Sequence, residues 1–254
     1  MAGFDVTADA YAQFMGRYSE PLASAFADLL APRPGQRALD VGSGTGALTA
    51  VLAERLGREN VCAIDPSGSF VAALGDRLPG VDVRQGSVGD LPCADGHFDL
   101  TAASLVVHFM TDPIGGLREM ARVTAAGGTV GATVWDHAGG GRGPITLFWQ
   151  AVHDLDPGAY DESGMPGARE GHLAELFAGA GIAVVQDTSI TVTAGYRTPE
   201  DWWHPYTLGV GPAGGYVARL DPQQREALRE HCFEILPAAP FEVSAVAWTV
   251  VGRV

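Results

Sequence analysis

The densest chemistry in the sequence lies in residues 38–49, ALDVGSGTGALT. A short apolar run ends at Val41, glycines stand at Gly42, Gly44 and Gly46, and a helical pattern begins at once. Glycines so placed let the chain turn tightly and bring its backbone against a ligand. Ser43 lies inside this turn. The segment also satisfies G-x-G-x-x-G/A, so a dinucleotide must be weighed against other adenosine-bearing ligands. Asp40 weighs against it, because a carboxylate two residues before Gly42 opposes a pyrophosphate docked on the same loop and helix N-terminus. A ligand carrying an ammonium gains from that carboxylate. The next apolar run, VCAIDPS, ends in Asp65 and Pro66. An acid at this strand tip accepts hydrogen bonds from both hydroxyls of a ribose. Together the two acids point to a cationic nucleoside, and S-adenosyl-L-methionine (SAM) is the expected cofactor.

The third segment is QGSVGDLPCADGHFDLTAASLVVHF, residues 85–109. Taken in order with ALDVGSGTG and IDPS, it resembles the ubiquinone/menaquinone-biosynthesis-type branch of the class I SAM-dependent methyltransferases (Methyltransferase type 11/25-like). That branch shows a strand, a G-D-A-x-x-L-P turn and an F-D strand. The resemblance covers residues 36–135 well and extends more weakly to AYAQFMGRYSEPLA and the final strand. It implies that Ser87 replaces the usual acid facing the adenine amino group, with Val88 supplying a backbone contact to the ring. A serine hydroxyl accepts that hydrogen bond less strongly than an ionised group. The resemblance further places Ser104 beside the methionine part of SAM and folds Tyr11 and Arg17 over the cofactor, with Arg17 at its carboxylate.

Methyl transfer from a sulfonium is an in-line displacement with a neutral leaving group, so positioning and water exclusion can supply much of the catalysis. A base is required only when the acceptor must lose a proton. His108, after the fourth strand, His137, after the fifth, and His204, further on, are the candidates, with Tyr206 beside them. Trp135, Trp202, Trp203 and Tyr206 are expected to form an aromatic wall against an apolar or planar small-molecule acceptor. The Asp and Glu residues show no divalent-metal spacing, so metal-independent transfer is expected. Two rivals remain open: a SAM-binding protein without methyl transfer, and an NAD(P)-dependent oxidoreductase. The dehydrogenases built on Tyr-x-x-x-Lys are excluded, because the chain has no Lys.

These residues need a frame. Residues 8–31 have amphipathic spacing, predicting a helix or two with a break near Pro21. Strands are predicted at 37–41, 61–65, 81–85, 98–104, 128–135, 183–192 and 242–252, with helices at 46–56, 68–78, 114–123, 145–155, 171–180 and 222–235. Alternation of this kind predicts an α/β fold, a Rossmann-like seven-stranded sheet, mostly parallel with its last strand antiparallel, and helices on both faces. The expected division is an N-terminal helical cap (1–34), a SAM-binding core (35–194), a lid or substrate insertion (195–238) and the last core strand (239–254). The turn VTAAGGTV, residues 123–130, is expected to be structural.

Composition limits the remaining choices. The 254 residues carry a formal net charge of −14, and all 16 basic residues are Arg. So acidic a surface repels phosphate backbones and makes a nucleic-acid substrate unexpected. Cys62, Cys93 and Cys232 are odd in number and lack metal spacing, so packing roles in a reducing compartment are expected. MAGFDVTADAYAQF lacks the pattern of a signal peptide, and no apolar run reaches the roughly 18 residues of a membrane span. A cytoplasmic enzyme is the expectation.

Overall fold

The structure is a computed structural model that describes residues 7–138 and 140–254. Residues 1–6 of the expected cap, and Gly139 in the Gly-rich break, lie outside the described residues. The chain opens with α1 (Ala8–Leu30), whose N-terminus is capped by the Thr7 hydroxyl accepting from the Ala10 N–H at 3.2 Å. It then alternates through β1 (Ala38–Val41), α2 (Ala47–Leu56), β2 (Val61–Asp65), α3 (Gly68–Arg77), β3 (Asp82–Gln85) and β4 (Phe98–Ser104). Next come α4 (Pro113–Val123), β5 (Thr124–Trp135), α5 (Thr146–Leu155), α6 (His172–Gly179) and β6 (Ala183–Tyr196). After β6 follow α7 (Pro199–Trp203), a 3-10 turn (His204–Leu208), α8 (Gly211–Arg219), α9 (Pro222–Ile235) and β7 (Phe241–Arg253).

Among the described residues, seven strands form one sheet in the order β3-β2-β1-β4-β5-β7-β6. β1 to β5 pair in parallel, whereas β7 runs antiparallel to both β5 and β6. Every residue of β1 and β2 is buried, as expected of central parallel strands covered on both faces. One buried cluster joins α1, α2 and α5 to the helices that follow β6. The other lies beneath α4 and α6. Strand order reverses between β1 and β4, and at such a switch point the two crossovers diverge and leave a crevice at the carboxyl ends.

Two expectations need correction. α1 does not break near Pro21; it is one helix across that residue. Pro21 removes a backbone hydrogen bond at a cost of about 3 kcal/mol. Tyr18, Leu22, Phe26 and Leu30 nevertheless bury one continuous stripe across it. At roughly 1.5–3 kcal/mol for each large apolar side chain, that burial outweighs the defect. β5 begins earlier than expected, at Thr124, and its register with β4 shifts between Phe98↔Thr124 and Leu100↔Thr129. The turn segment 123–130 is thus absorbed into the strand as an irregularity.

Candidate active site

The loop between β1 and α2 crosses the switch point. Gly42, Gly44 and Gly46 have φ of +69°, +53° and +85°, the left-handed region that L side chains rarely adopt. At Gly42 a Cβ would meet Val106 Cγ2 at 2.5 Å, and at Gly46 it would meet Leu74 Cδ1 at 2.2 Å. These two glycines therefore serve close packing, whereas a Cβ on Gly44 would enter open space. Backbone N–H groups of Gly42 and Ser43 donate to the Ile64 carbonyl at 2.7 and 3.1 Å, tying the loop to β2.

Asp65 ends β2 and organises two loops at once. Its Oδ2 accepts from the Gly44 N–H and its Oδ1 from the Ser67 N–H, both at 2.8 Å. Burial raises its pKa, while the two backbone donors hold it down. Asp40 is more deeply buried, at 1% exposure. Burial pushes its pKa up to about 7, with the nearby Asp65 adding to the rise and the Thr49 hydroxyl opposing it. That hydroxyl donates to Asp40 Oδ2 at 2.6 Å.

Cavities follow the strand ends. One of about 550 Å³ is lined by Val41, Gly42, Pro66, Ser87, Val88, Val106 and Met110, among others. A neighbour of about 440 Å³ is bounded by Tyr11, Gly42, Gly44, Asp65, Pro66, Phe70, Val106 and Phe109. A small polar cavity of about 30 Å³ is walled by Tyr11, Asp40, Ser43, Gly44 and Ser104. The Ser43 hydroxyl is buried there without a hydrogen-bond partner. A fourth cavity, of about 40 Å³, collects Tyr11, Phe14, Leu105, His108, Phe109, Trp135, His137 and Glu162. Tyr11 and Leu105 line this cavity, the 440 Å³ cavity and the polar one, so the last three adjoin.

The structure thus brings Tyr11, Asp40, Gly42, Ser43, Gly44, Asp65, Pro66, Ser87, Val88 and Ser104 onto one cleft, with Gly46 packed just beneath it. Arg17 is not among them. Its guanidinium donates to Asp201 Oδ2 at 3.1 Å and to the Gly195 carbonyl at 2.9 Å, and it lies over the Tyr196 ring. Its guanidinium is thus engaged by a carboxylate, a carbonyl and an aromatic face away from the glycine loop.

His108 and His137 share the 40 Å³ cavity, their ring centroids 6.0 Å apart. Burial lowers the pKa of His108 well below its ordinary value, and that of His137 to about 4, so both are neutral at pH 7. His204 does not reach the cavity; it is exposed at the start of the 3-10 turn. The expected aromatic wall also needs correction. Trp135 lines the cavity, but Trp202, Trp203 and Tyr206 are buried core. Tyr206 stacks on Phe148 of α5 with centroids 4.4 Å apart, and Trp202 packs against Tyr206 at 4.8 Å. Aromatic rings on short helices after β6 meet α5 before they can meet a ligand.

Glu162 is the residue the sequence did not reveal. It sits in a loop without periodicity, 3% exposed, and burial raises its pKa to about 7. Leu105 was equally unmarked; its φ of +62° turns the chain sharply after β4.

A family model described as a methyltransferase domain matches residues 39–131. The ubiquinone/menaquinone biosynthesis C-methyltransferase UbiE of Stenotrophomonas maltophilia is 37% identical over 103 residues, 38% of this chain and 41% of that protein. The demethylmenaquinone methyltransferase of Beutenbergia cavernae is 39% identical over 101 residues, 40% of this chain and 41% of that protein. The chain thus spans about two fifths of the length of these curated relatives. A Bacillus halodurans structure, solved as a candidate methyltransferase, is 15% identical and superposes with a TM-score of 0.61 over 91% of this chain and 97% of that one. That likeness shows the same Rossmann-like fold. Both acids, the glycine loop and the walls of the cleft at the ends of β1, β2 and β4 fall within the matched segment, so residues 39–131 match a methyltransferase domain and are similar to the ubiquinone/menaquinone-biosynthesis methyltransferases.

Proposed function

We propose that the protein is a SAM-dependent methyltransferase acting on a small-molecule acceptor without a metal ion. The observation that carries this reading is the pair of buried carboxylates at adjoining strand tips, Asp40 and Asp65, around a glycine loop at the switch point. Asp40, Ser43 and Ser104 surround the small polar cavity and would hold the methionine part of SAM. The unpartnered Ser43 hydroxyl and the buried Asp40 carboxylate both improve when an ammonium arrives, so these residues fit that group. Asp65 and Pro66 would meet the ribose, and Ser87 and Val88 the adenine. When bound, SAM supplies an electrophilic methyl group on a positively charged sulfur.

The chain's own contribution is placement and dryness. Tyr11, Leu105 and Phe109 line both the 440 Å³ cavity and the 40 Å³ one. An acceptor group in the small cavity thereby adjoins the cofactor site, with these largely apolar side chains excluding water around both. Neutral His108 and His137 offer hydrogen bonds there without adding positive charge next to a sulfonium. Gly211 and Pro212, at the start of α8, close the same cavity, which supports a lid or substrate role for segment 195–238. Among the described residues no three His, Cys, Asp or Glu side chains are grouped to hold a metal ion. None of the described helices is long and apolar enough to cross a membrane.

Titration calorimetry with SAM and with NADH tests the reading. Binding of SAM, with NADH ignored, is the expected result; binding of NADH without SAM overturns it.

A further inference from the structure

The 40 Å³ cavity contains more unmet hydrogen-bonding capacity than a packing void should. Three of its walls carry a buried polar atom without a partner: Glu162 Oε2, His108 Nδ1 and Trp135 Nε1. These residues are 3%, 5% and 2% exposed, so bulk water does not satisfy them. Buried polar atoms are normally paired, and three around one cavity mark a place where a ligand group completes the set. The volume holds about one water molecule, at roughly 30 Å³ each, or one functional group of similar size.

We propose that this cavity receives a phenolic or enolic hydroxyl and that Glu162 takes its proton, which makes the protein an O-methyltransferase. The proposal rests on the SAM-dependent reading above.

The three atoms select the group by their chemistry. Trp135 Nε1–H can only donate, so the acceptor atom must offer a lone pair to it. An ionised Glu162 can only accept, so the same group must carry a proton. A hydroxyl oxygen does both and keeps a second lone pair for bond formation. An amine nitrogen has one lone pair and needs it for the methyl group, leaving the indole unpaired. A ring carbon offers neither bond. Neutral His108 completes the set in whichever tautomer the hydroxyl and Glu162 require. The remaining walls, Phe14, Ile145 and Pro212 among them, are apolar and suit a hydrocarbon skeleton.

Charge balance distinguishes Glu162 from the histidines. As the acceptor oxygen bonds to the methyl carbon, its proton passes to Glu162. The carbon–sulfur bond breaks with its electron pair left on sulfur. Burial, with Asp161 adding repulsion, raises the Glu162 pKa to about 7, against the pull of the Trp149 indole. His108 and His137 face it as neutral groups, and burial holds Tyr11 and Tyr206 protonated, raising the Tyr11 pKa to about 12 and that of Tyr206 well above its ordinary value. Efficient proton transfer wants a base whose pKa lies near the working pH, and Glu162 meets that condition better than a histidine of pKa about 4. A phenol, near the ordinary Tyr value of about 10, lies within reach of such a base, whereas an aliphatic alcohol lies much further off.

The test uses 4-methylphenol, 4-methylaniline and toluene with wild-type protein and Glu162→Gln. SAM affinity is measured first on both proteins. Binding of each probe to the S-adenosylhomocysteine-loaded protein, and methyl transfer, then follow. The proposal expects 4-methylphenol to bind at least ~10-fold more tightly than either analogue and to be methylated on oxygen. The rate should rise with pH to a plateau above about 7. Glu162→Gln should keep SAM affinity within about 2-fold, lose the probe preference and the pH-dependent rise, and turn over at least ~100-fold more slowly. Equal binding of the three probes by the wild type, or Glu162→Gln turning over within about 3-fold of it, overturns the proposal. If the variant fails to fold, the wild-type probe comparison still decides. Wild-type protein that binds no SAM overturns the cofactor reading instead.

Discussion

Asp40 makes a sharp energetic test, because a carboxylate so deeply buried is retained at a measurable cost. Its pKa stands at about 7 in the fold against an ordinary 3.8. Below 3.8 the folded and unfolded states are both protonated there, and the side chain contributes no pH dependence. Between that value and about 7 only the folded state keeps the proton, so rising pH favours unfolding. At 1.36 kcal/mol per pH unit the full effect approaches about 4 kcal/mol. Asp40→Asn removes the ionisation and keeps an oxygen to accept from the Thr49 hydroxyl, whose bond to Asp40 is 2.6 Å long. Urea denaturation of both proteins at pH 4 and pH 8 should therefore show near-equal stability at the lower pH. At the higher pH the variant should be the more stable by up to about 4 kcal/mol. SAM should act in the opposite direction. Its ammonium favours ionised Asp40, so wild-type affinity should fall by about 10-fold for each pH unit below 7, and that of Asp40→Asn should not. A stability difference that does not vary with pH refutes the reasoning, because a carboxylate with an ordinary pKa would behave in that way.

Two further substitutions separate packing from ligand contact. Gly46→Ala places a Cβ 2.2 Å from Leu74 Cδ1 at a φ of +85°, and should lower stability by about 2–4 kcal/mol in chemical denaturation. Arg17→Ala should cost less than about 1 kcal/mol, since its ion pair with Asp201 is part-exposed, and should leave SAM affinity within about 2-fold in calorimetry.

The difference between those two residues shows what a linear sequence can carry. The glycine loop, Asp40 and Asp65 are legible because their placement depends on local geometry: a strand tip, a left-handed turn, a helix start. The mostly parallel sheet with an antiparallel last strand follows from the alternation of elements, whereas the strand order comes from the structure; β6 and β7, which flank one helical segment, pair antiparallel. Arg17 misleads because its partner, Asp201, lies 184 residues away and nothing in its neighbourhood announces it. Trp202, Trp203 and Tyr206 look like an acceptor wall because aromatic residues serve ligands and cores alike. Only the position of α5, with Phe148 facing Tyr206, decides between the two. Pro21 suggests a break because its local cost is visible in sequence, whereas the buried stripe that outweighs it requires the sheet. Glu162 is silent for a related reason. A lone acid in an aperiodic loop becomes chemical only when folding strips its water and sets His108, His137 and Trp135 around the same cavity.

We assign the two strand-tip acids and the glycine loop to a SAM site. Calorimetric titration of SAM into the wild-type protein and Asp65→Ala tests it most directly. Asp65 already accepts two backbone N–H bonds at 2.8 Å that shape both loops of the cleft, and it should take the ribose hydroxyls on its remaining lone pairs. Loss of hydrogen bonds to an ionised group is worth about 1.5–3 kcal/mol, or roughly 10- to 100-fold in affinity. Micromolar-range binding by the wild type, weakened at least ~10-fold in the variant, is the predicted result. Equal affinities in the two proteins, or no SAM binding by the wild type, would contradict the assignment of the cleft.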